Sequence, residues 1–330
     1  IGERSEPMLH TRICELLGVE HPVISAPMAG SAGADLAAAV SAAGGLGLIG
    51  GTSPGGADWL RTQIRAVRER TDRPFGVGFI TSFPGVDELV AVAIEERVSV
   101  MAHAFADAAP YVQAAHAAGA TVLVQVQTVE QARRAAGAGA DLIAAQGTEA
   151  GGHTGYSGTL PLVPAVIDAA GGIPVVAAGG IADGRGLAAA LMLGAEGAWI
   201  GTRFVASREW RGGEWAKERV VHSGTDDTVL THAYDLAMQA RFPAGIGDRV
   251  LRNEFTAAWH DRDAEVATQR EELAPQIVAA LRAEDSRVAP IRAGNAAGLI
   301  HAVEPAGDIL RRIVAEAEQI LRERPAVVLR

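Results

Sequence analysis

The chain has 330 residues, with 29 lysines and arginines against 39 aspartates and glutamates, a formal net charge of −10 and a pI near 5.4. That balance argues against nucleic acid or an anionic membrane as partner, and the single cysteine, Cys14, excludes an internal disulfide and a cysteine-based metal site. One thiol also suits a reducing cytoplasm. Apolar residues make up 48% and aromatics only 5%, a composition that suits a parallel sheet wrapped by Ala-rich helices.

The opening run Ile1-Gly2-Glu3-Arg4-Ser5 has no basic segment followed by an apolar core, which predicts that no secretory leader is present. Ala34 to Gly51 is weakly polar, but Asp35 and its glycines break it too often for a membrane span. Short apolar runs then alternate with helical runs. The predicted strands are Val23–Pro27, Leu46–Gly51, Phe75–Ile80, Ser99–Phe105, Thr121–Gln127, Leu142–Gly147, Pro174–Gly180 and Gly197–Thr202. Between them lie helix-period segments at Asp58–Arg70, Val86–Glu96, Tyr111–Ala118, Val129–Ala136 and Gly186–Leu193. Several helical runs close on glycine (Gly44, Gly119, Gly139, Gly194), as helix ends prefer. Alternation predicts parallel pairing through right-handed crossovers, and eight units fit a closed barrel. An open doubly wound sheet would place G-x-G-x-x-G after its first strand. Pro27-Met28-Ala29-Gly30 stands there instead.

After Arg211 the chain gains charge and tryptophan (Trp215, Trp259) and reads as helices without strands, for example Asp261–Arg282. A helix at about Ala306–Arg324 puts Ile309, Leu310, Ile313, Val314, Ile320 and Leu321 on one face. That stripe closes the barrel, with a homodimer contact as its alternative role. The predicted fold is therefore α/β: a (β/α)8 TIM barrel from residues 1–211 and 284–330, with a small helical insertion domain at 212–283.

The sixth strand empties into Gln146-Gly147-Thr148-Glu149-Ala150-Gly151-Gly152-His153-Thr154-Gly155. Glycines there let a ligand approach the main chain, and one imidazole, His153, stands among them. A flexible loop at a strand's carboxyl end is where a barrel keeps a catalytic group; the plainer alternative is a solvated turn histidine. The seventh and eighth strands end in Gly179-Gly180 and Gly201-Thr202. In barrels these exits commonly cradle a phosphate through backbone N–H groups, and the Thr202 hydroxyl adds a donor. Tight βα turns alone would use the same glycines. Arg185 and Arg203 stand close by, either adding charge or simply solvated.

Gln125 and Gln127 share one face of the fifth strand, and Gln146 ends the sixth. A glutamine inside a barrel needs a partner, which a heterocyclic ligand supplies. Pro27 and Met28 offer main chain and thioether to a flat ring, although Met28 also suits core filling. His103 either faces the mouth or is a satisfied core histidine. His21, His116, His222, His232, His260 and His301 show no metal-ligand spacing, so no metal is expected.

These blocks resemble the nitronate monooxygenases, formerly called 2-nitropropane dioxygenases. The likeness lies in Val23-Ile24-Ser25-Ala26-Pro27-Met28-Ala29-Gly30, Gly44-Gly45-Leu46-Gly47, Gln146 to Gly155 and Ala177 to Phe204. Arg249-Val250-Leu251-Arg252-Asn253 and Ala293-Gly294-Asn295-Ala296-Ala297-Gly298-Leu299-Ile300 extend it over nearly the whole chain. The resemblance implies non-covalent FMN at the carboxyl-end mouth of the barrel. Carried over residue by residue, it puts Pro27, Met28 and Ala29 beside the flavin. Gln125, Gln146 and Gly151 would contact the isoalloxazine or ribityl chain, and Gly179, Gly180, Gly201 and Thr202 would hold the phosphate. His153 falls on the catalytic histidine. Two positions depart: Gly78 stands where many members carry Asn, and Gln125 where some carry Lys. Both bear on substrate range more than on the cofactor.

The activity implied is oxidation of alkyl nitronates, and of nitroalkanes, with O2 to carbonyl compounds and nitrite. His153 would serve as general base toward a nitroalkane, or as imidazolium stabilising an anion. Flavin-dependent enoyl-acyl-carrier-protein reductases and NAD(P)H:quinone reductases share the Ala-Gly-Gly-Ile and Glu-Ala-Gly-Gly-His blocks. An NAD(P)H-dependent FMN reductase is therefore the alternative, and a non-catalytic flavin-binding protein the third reading.

Overall fold

The computed structural model describes residues 9–155 and 157–329; the run on which the leader expectation rests lies outside them. Eleven strands are present among these residues: β1 (Val23–Ser25), β2 (Gly47–Gly50), β3 (Phe75–Ile80), β4 (Val100–Ala104), β5 (Thr121–Val126), β6 (Leu142–Gln146), β7 (Gly152–Thr154), β8 (Val175–Ala178), β9 (Gly197–Ile200), β10 (Thr228–Thr231) and β11 (Gly247–Leu251). Eight of them form one sheet in the order β1-β9-β8-β6-β5-β4-β3-β2, with every neighbour pair parallel. Ile24 pairs with Leu46, and Leu46 N–H donates to Val23 O at 2.9 Å, so β1 meets β2 and the barrel closes. All eight correspond to the apolar runs that predicted them.

Strand alternation divides the side chains between two cores. Leu48, Val100, Leu123, Leu142, Ala144, Val176 and Trp199 fill the barrel, joined at one end by Ile13 and Leu17 of helix Arg12–Leu17. Residues of the opposite parity, among them Ile49, Val77, Met101, Ile143 and Ala177, pack against the surrounding helices. Helix Ala34–Ala42 approaches β2 so closely that a Cβ at Gly47 would lie 1.9 Å from Ala37 O. Helix Ala306–Val328 buries Ile309, Leu310, Ile313 and Val314 and packs on helices Gly184–Met192 and Ala34–Ala42. Its apolar stripe thus docks on the barrel. Among the described residues no helix is long and apolar enough to cross a membrane.

The segment after Arg211 departs from the expectation of helices alone. It contains helices Glu214–Val221, Ala233–Met238, Glu254–Trp259 and Asp263–Arg282, but also β10 and β11. These two pair antiparallel, and β11 pairs antiparallel with β7 from the loop after β6. The run carrying His153 is therefore not a flexible loop, because its backbone is held in a three-stranded sheet. Its strands escaped notice because β7 is three residues long and begins on glycine, while Asp248 and Arg249 interrupt the apolar pattern of β11.

Leu123 lies at the centre of the barrel interior with no exposed surface. Leu123→Ala should lower unfolding free energy by about 2–5 kcal/mol, read from urea denaturation.

Candidate active site

At the carboxyl ends of the barrel strands lies a cavity of about 1140 Å3. Pro27, Met28 and Ala29 line it from the exit of β1, Gln125 from β5, and Gln146 from the end of β6. Gly151 and His153 line it from the run after β6, Gly179 and Gly180 from the exit of β8, and Gly201 and Thr202 from that of β9. The sequence-predicted residues thus share one cavity.

His153 sits on β7 opposite Asp248 of β11. Its side chain is only 9% exposed, and its Nε2 lies 2.9 and 3.0 Å from the two carboxylate oxygens of Asp235. Phe242 stacks on the imidazole with ring centroids 3.4 Å apart and planes 13° apart. Phe105 meets both rings edge-on, at 6.1 Å from His153 and 5.2 Å from Phe242. Phe105 holds a φ of +69°, a strained conformation for a bulky side chain of the kind that collects at functional sites.

Asp235 lies in the first turn of helix Ala233–Met238. Its neighbour Tyr234 anchors that turn: the hydroxyl donates to Val288 O at 2.8 Å and accepts from Asn253 Nδ2 at 3.0 Å. Asp248 is fully buried and paired with Arg292, whose Nη2 lies 2.9 Å from Oδ2. His153, Asp235 and Asp248 bring ligand-type atoms within 4.8 Å of one another. Arg292 already supplies positive charge to Asp248, so a cation would have to displace that ion pair.

The run between β6 and β7 is pinned from several sides. Glu149 accepts from Thr159 N–H at 2.9 Å and from the Thr159 hydroxyl at 2.9 Å, at the start of helix Thr159–Ala169. Arg249 Nε donates to Thr148 O at 2.6 Å, and burial lowers this guanidinium's pKa. Gly179 and Gly180 take φ of +100° and +75°, and a Cβ at Gly179 would stand 2.9 Å from Gly147 O. The Thr202 Oγ1 accepts from Gly294 N–H at 3.0 Å, leaving the hydroxyl proton to donate.

Arg185 and Arg203 do not join this cradle. Arg203 is 3% exposed, pairs with Glu304 and donates to Ala302 O at 3.1 Å. Arg185 pairs with Asp183. The glutamines find a partner inside the protein: Gln125 and Gln127 each donate through Nε2 to Gln146 Oε1, at 2.7 and 2.6 Å. Gln127 is buried and also donates to His153 O at 3.2 Å, so it supports the histidine's strand. A Cβ at Gly78 would lie 2.2 Å from Pro27 Cγ. The proline ring occupies the room that an asparagine there would need.

His103 is buried yet borders the cavity, and its Nε2 has no hydrogen-bond partner among the described residues. It has no exposed surface, stacks on Tyr111 at 5.1 Å, and brings Nδ1 within 3.1 Å of the Thr81 hydroxyl. Burial pushes its pKa down to about 4. Sequence reasoning missed Asp235, Asp248, Phe105 and Phe242. The charged pair Asp248-Arg249 between apolar residues was a readable sign of a functional strand. Asp235 and Phe242 reach His153 only through tertiary folding, and no local spacing announces them.

A family model described as nitronate monooxygenase matches residues 10–89 and 80–316. A (3aS,4S,5R,7aS)-5-hydroxy-7a-methyl-1-oxo-octahydro-1H-indene-4-carboxyl-CoA dehydrogenase of Mycobacterium tuberculosis is 40% identical over 249 residues, 75% of this chain and 67% of its own length. A nitronate monooxygenase of Neurospora crassa is 37% identical over 91% of this chain and 90% of its own. Among solved structures, FabK from Thermotoga maritima superposes with a TM-score of 0.88 at 38% identity, covering 97% of this chain and 100% of that one.

His103 yields a pH prediction. Its folded pKa of about 4 lies below the ordinary 6.5, so stability from the neutral ring is full above pH 6.5 and falls as pH drops toward 4. The gap corresponds to about 3 kcal/mol. Denaturation at a series of pH values should show that component in the native chain and not in His103→Gln.

Proposed function

The chain belongs to the nitronate monooxygenase family, a family of flavin-dependent oxidoreductases, and on that premise we propose that it uses FMN to oxidise alkyl nitronates, and the nitroalkanes that yield them, with O2 to carbonyl compounds and nitrite. The observation that carries this reading is the convergence of His153 and two glycine-rich strand exits on a single cavity.

The residues fit FMN. Gly179 and Gly180 bring bare main chain to the cavity at the exit of β8, because a Cβ at Gly179 would strike Gly147 O at 2.9 Å and both glycines hold positive φ. With Arg185 and Arg203 turned to carboxylates, the phosphate would be held by backbone N–H groups at these exits and by the Thr202 hydroxyl. Met28 and Ala29 would give the ring an apolar surface, and the Gln125–Gln146 pair would offer amide edges to it. Pockets for one drug-sized ligand run from about 300 to 1,000 Å3, so a cavity of about 1140 Å3 is large enough for the cofactor. Bound there, FMN supplies the electron transfer from the nitronate carbon and onward to O2.

The protein's own part is to position, shield and move a proton. His153 takes the α-proton of a nitroalkane, or as imidazolium holds the nitronate's charge. Phe105 and Phe242 cover the imidazole and keep water from it. Cys14 is buried and free, in keeping with a reducing cytoplasm as the compartment.

A second reading is a flavin-dependent reductase or dehydrogenase acting on a thioester, favoured by the carboxyl-CoA dehydrogenase relative. Anaerobic mixing separates the two. The proposal expects FMN on denaturation, bleaching by an alkyl nitronate, and nitrite under air; rapid bleaching by NADH with none by a nitronate would replace it with the reductase. His153→Asn should lower nitroalkane turnover by about 10²–10⁴ while nitronate turnover persists. Undiminished nitroalkane turnover would remove His153 from the role of base.

A further inference from the structure

Two carboxylates, Asp248 and Asp235, stand beside His153, and the imidazole is hydrogen-bonded to one of them. Asp248, from β11, is matched by Arg292. Asp235, from helix Ala233–Met238, points both carboxylate oxygens at His153 Nε2. Phe242 lies on the face of the ring and Phe105 at its edge, and neither carries a charge. We propose that Asp235 is the positioning residue of this site: it keeps the imidazole proton on Nε2, so that Nδ1 is the nitrogen that meets the substrate.

The argument is one of donors and acceptors. An ionised carboxylate only accepts, so an Nε2 within 3.0 Å of two such oxygens must carry a proton. In the neutral ring the lone pair then belongs to Nδ1, which makes no hydrogen bond among the described residues and is not among the buried unpartnered atoms. The contact fixes the ring's edge, and the parallel Phe242 ring fixes its plane. The buried Tyr234 beside Asp235 ties the carboxylate's helix to Val288 O and Asn253, so the geometry does not depend on the more exposed chain beyond it. In the proton-transfer step the substrate C–H bond breaks, an Nδ1–H bond forms, and the electron pair stays on carbon and spreads onto the nitro oxygens. Asp235 then faces the positive ring it has oriented.

The choice of Nδ1 as base rests on the nitronate reading; the position of the proton does not. Nitrogen NMR of the flavin-loaded protein with selectively labelled histidine, recorded on the neutral ring and assigned with His153→Gln, reads the tautomer directly. The expected spectrum has an unprotonated, pyridine-like Nδ1 and a protonated, pyrrole-like Nε2; a proton on Nδ1 overturns the proposal. In Asp235→Asn the amide N–H₂ can donate to Nε2, so the tautomer should flip. Nitroalkane turnover should then fall by about 10²–10⁴ while alkyl nitronate turnover stays within roughly tenfold. Asp235→Glu should restore the native tautomer and part of the rate. An unflipped tautomer in Asp235→Asn, or equal loss on both substrates, contradicts the role. Should the native protein turn over neither nitro compound while the tautomer behaves as stated, the nitronate reading fails and the positioning of the ring by Asp235 stands.

Discussion

Main chain lies directly on main chain where the run after β6 meets the segment that follows the small sheet. A Cβ at Gly294 would stand 2.1 Å from Glu149 O, and one at Gly151 would stand 2.7 Å from the backbone of Ala293. Asn295 N–H donates to Glu149 O at 3.0 Å, and Gly294 N–H donates to Thr202 Oγ1 at the exit of β9. This one contact fixes the histidine's run to the β9 exit that would hold a phosphate. Any side chain at either glycine would part them, and a shift of even an ångström at a reacting centre is costly.

From that contact the support of His153 follows outward. β7 continues the pinned run into a strand, and its pairing with β11 sets the register that puts Asp248 opposite the histidine. Arg249, next along β11, reaches back to Thr148. The small sheet is thus a bracket that converts a glycine-rich exit, soft by composition, into a rigid mount. Rigid mounting suits the proposed role of His153, which requires its lone pair to be held in line with a substrate C–H bond.

Much of the barrel was legible because its strands are buried on both faces and read as apolar runs such as Leu142-Ile143-Ala144-Ala145. That the glycine pairs and His153 would line one cavity was legible because they stand at the carboxyl-end exits of barrel strands. What escaped obeys non-local rules. β10 and β11 carry polar residues because those residues bind across the fold: Arg249 to Thr148, Asp248 to Arg292, and Thr228 to Asn295. The glutamines were rightly placed on one face, yet their need for a partner is met in part by Gln146. Pro27 and Gly78 show the same limit, since only the folded chain reveals that the proline ring fills the room above the glycine.

The central claim is that this cavity seats a flavin with its phosphate at the exits of β8 and β9 and its ring toward His153. A crystal structure of the purified, flavin-loaded protein tests it most directly. The account predicts phosphate density against the backbone of Gly180 and Thr202, with the ring system between Met28 and His153. Phosphate bound elsewhere, or an imidazole rotated off Asp235 and out of the cavity, would contradict it.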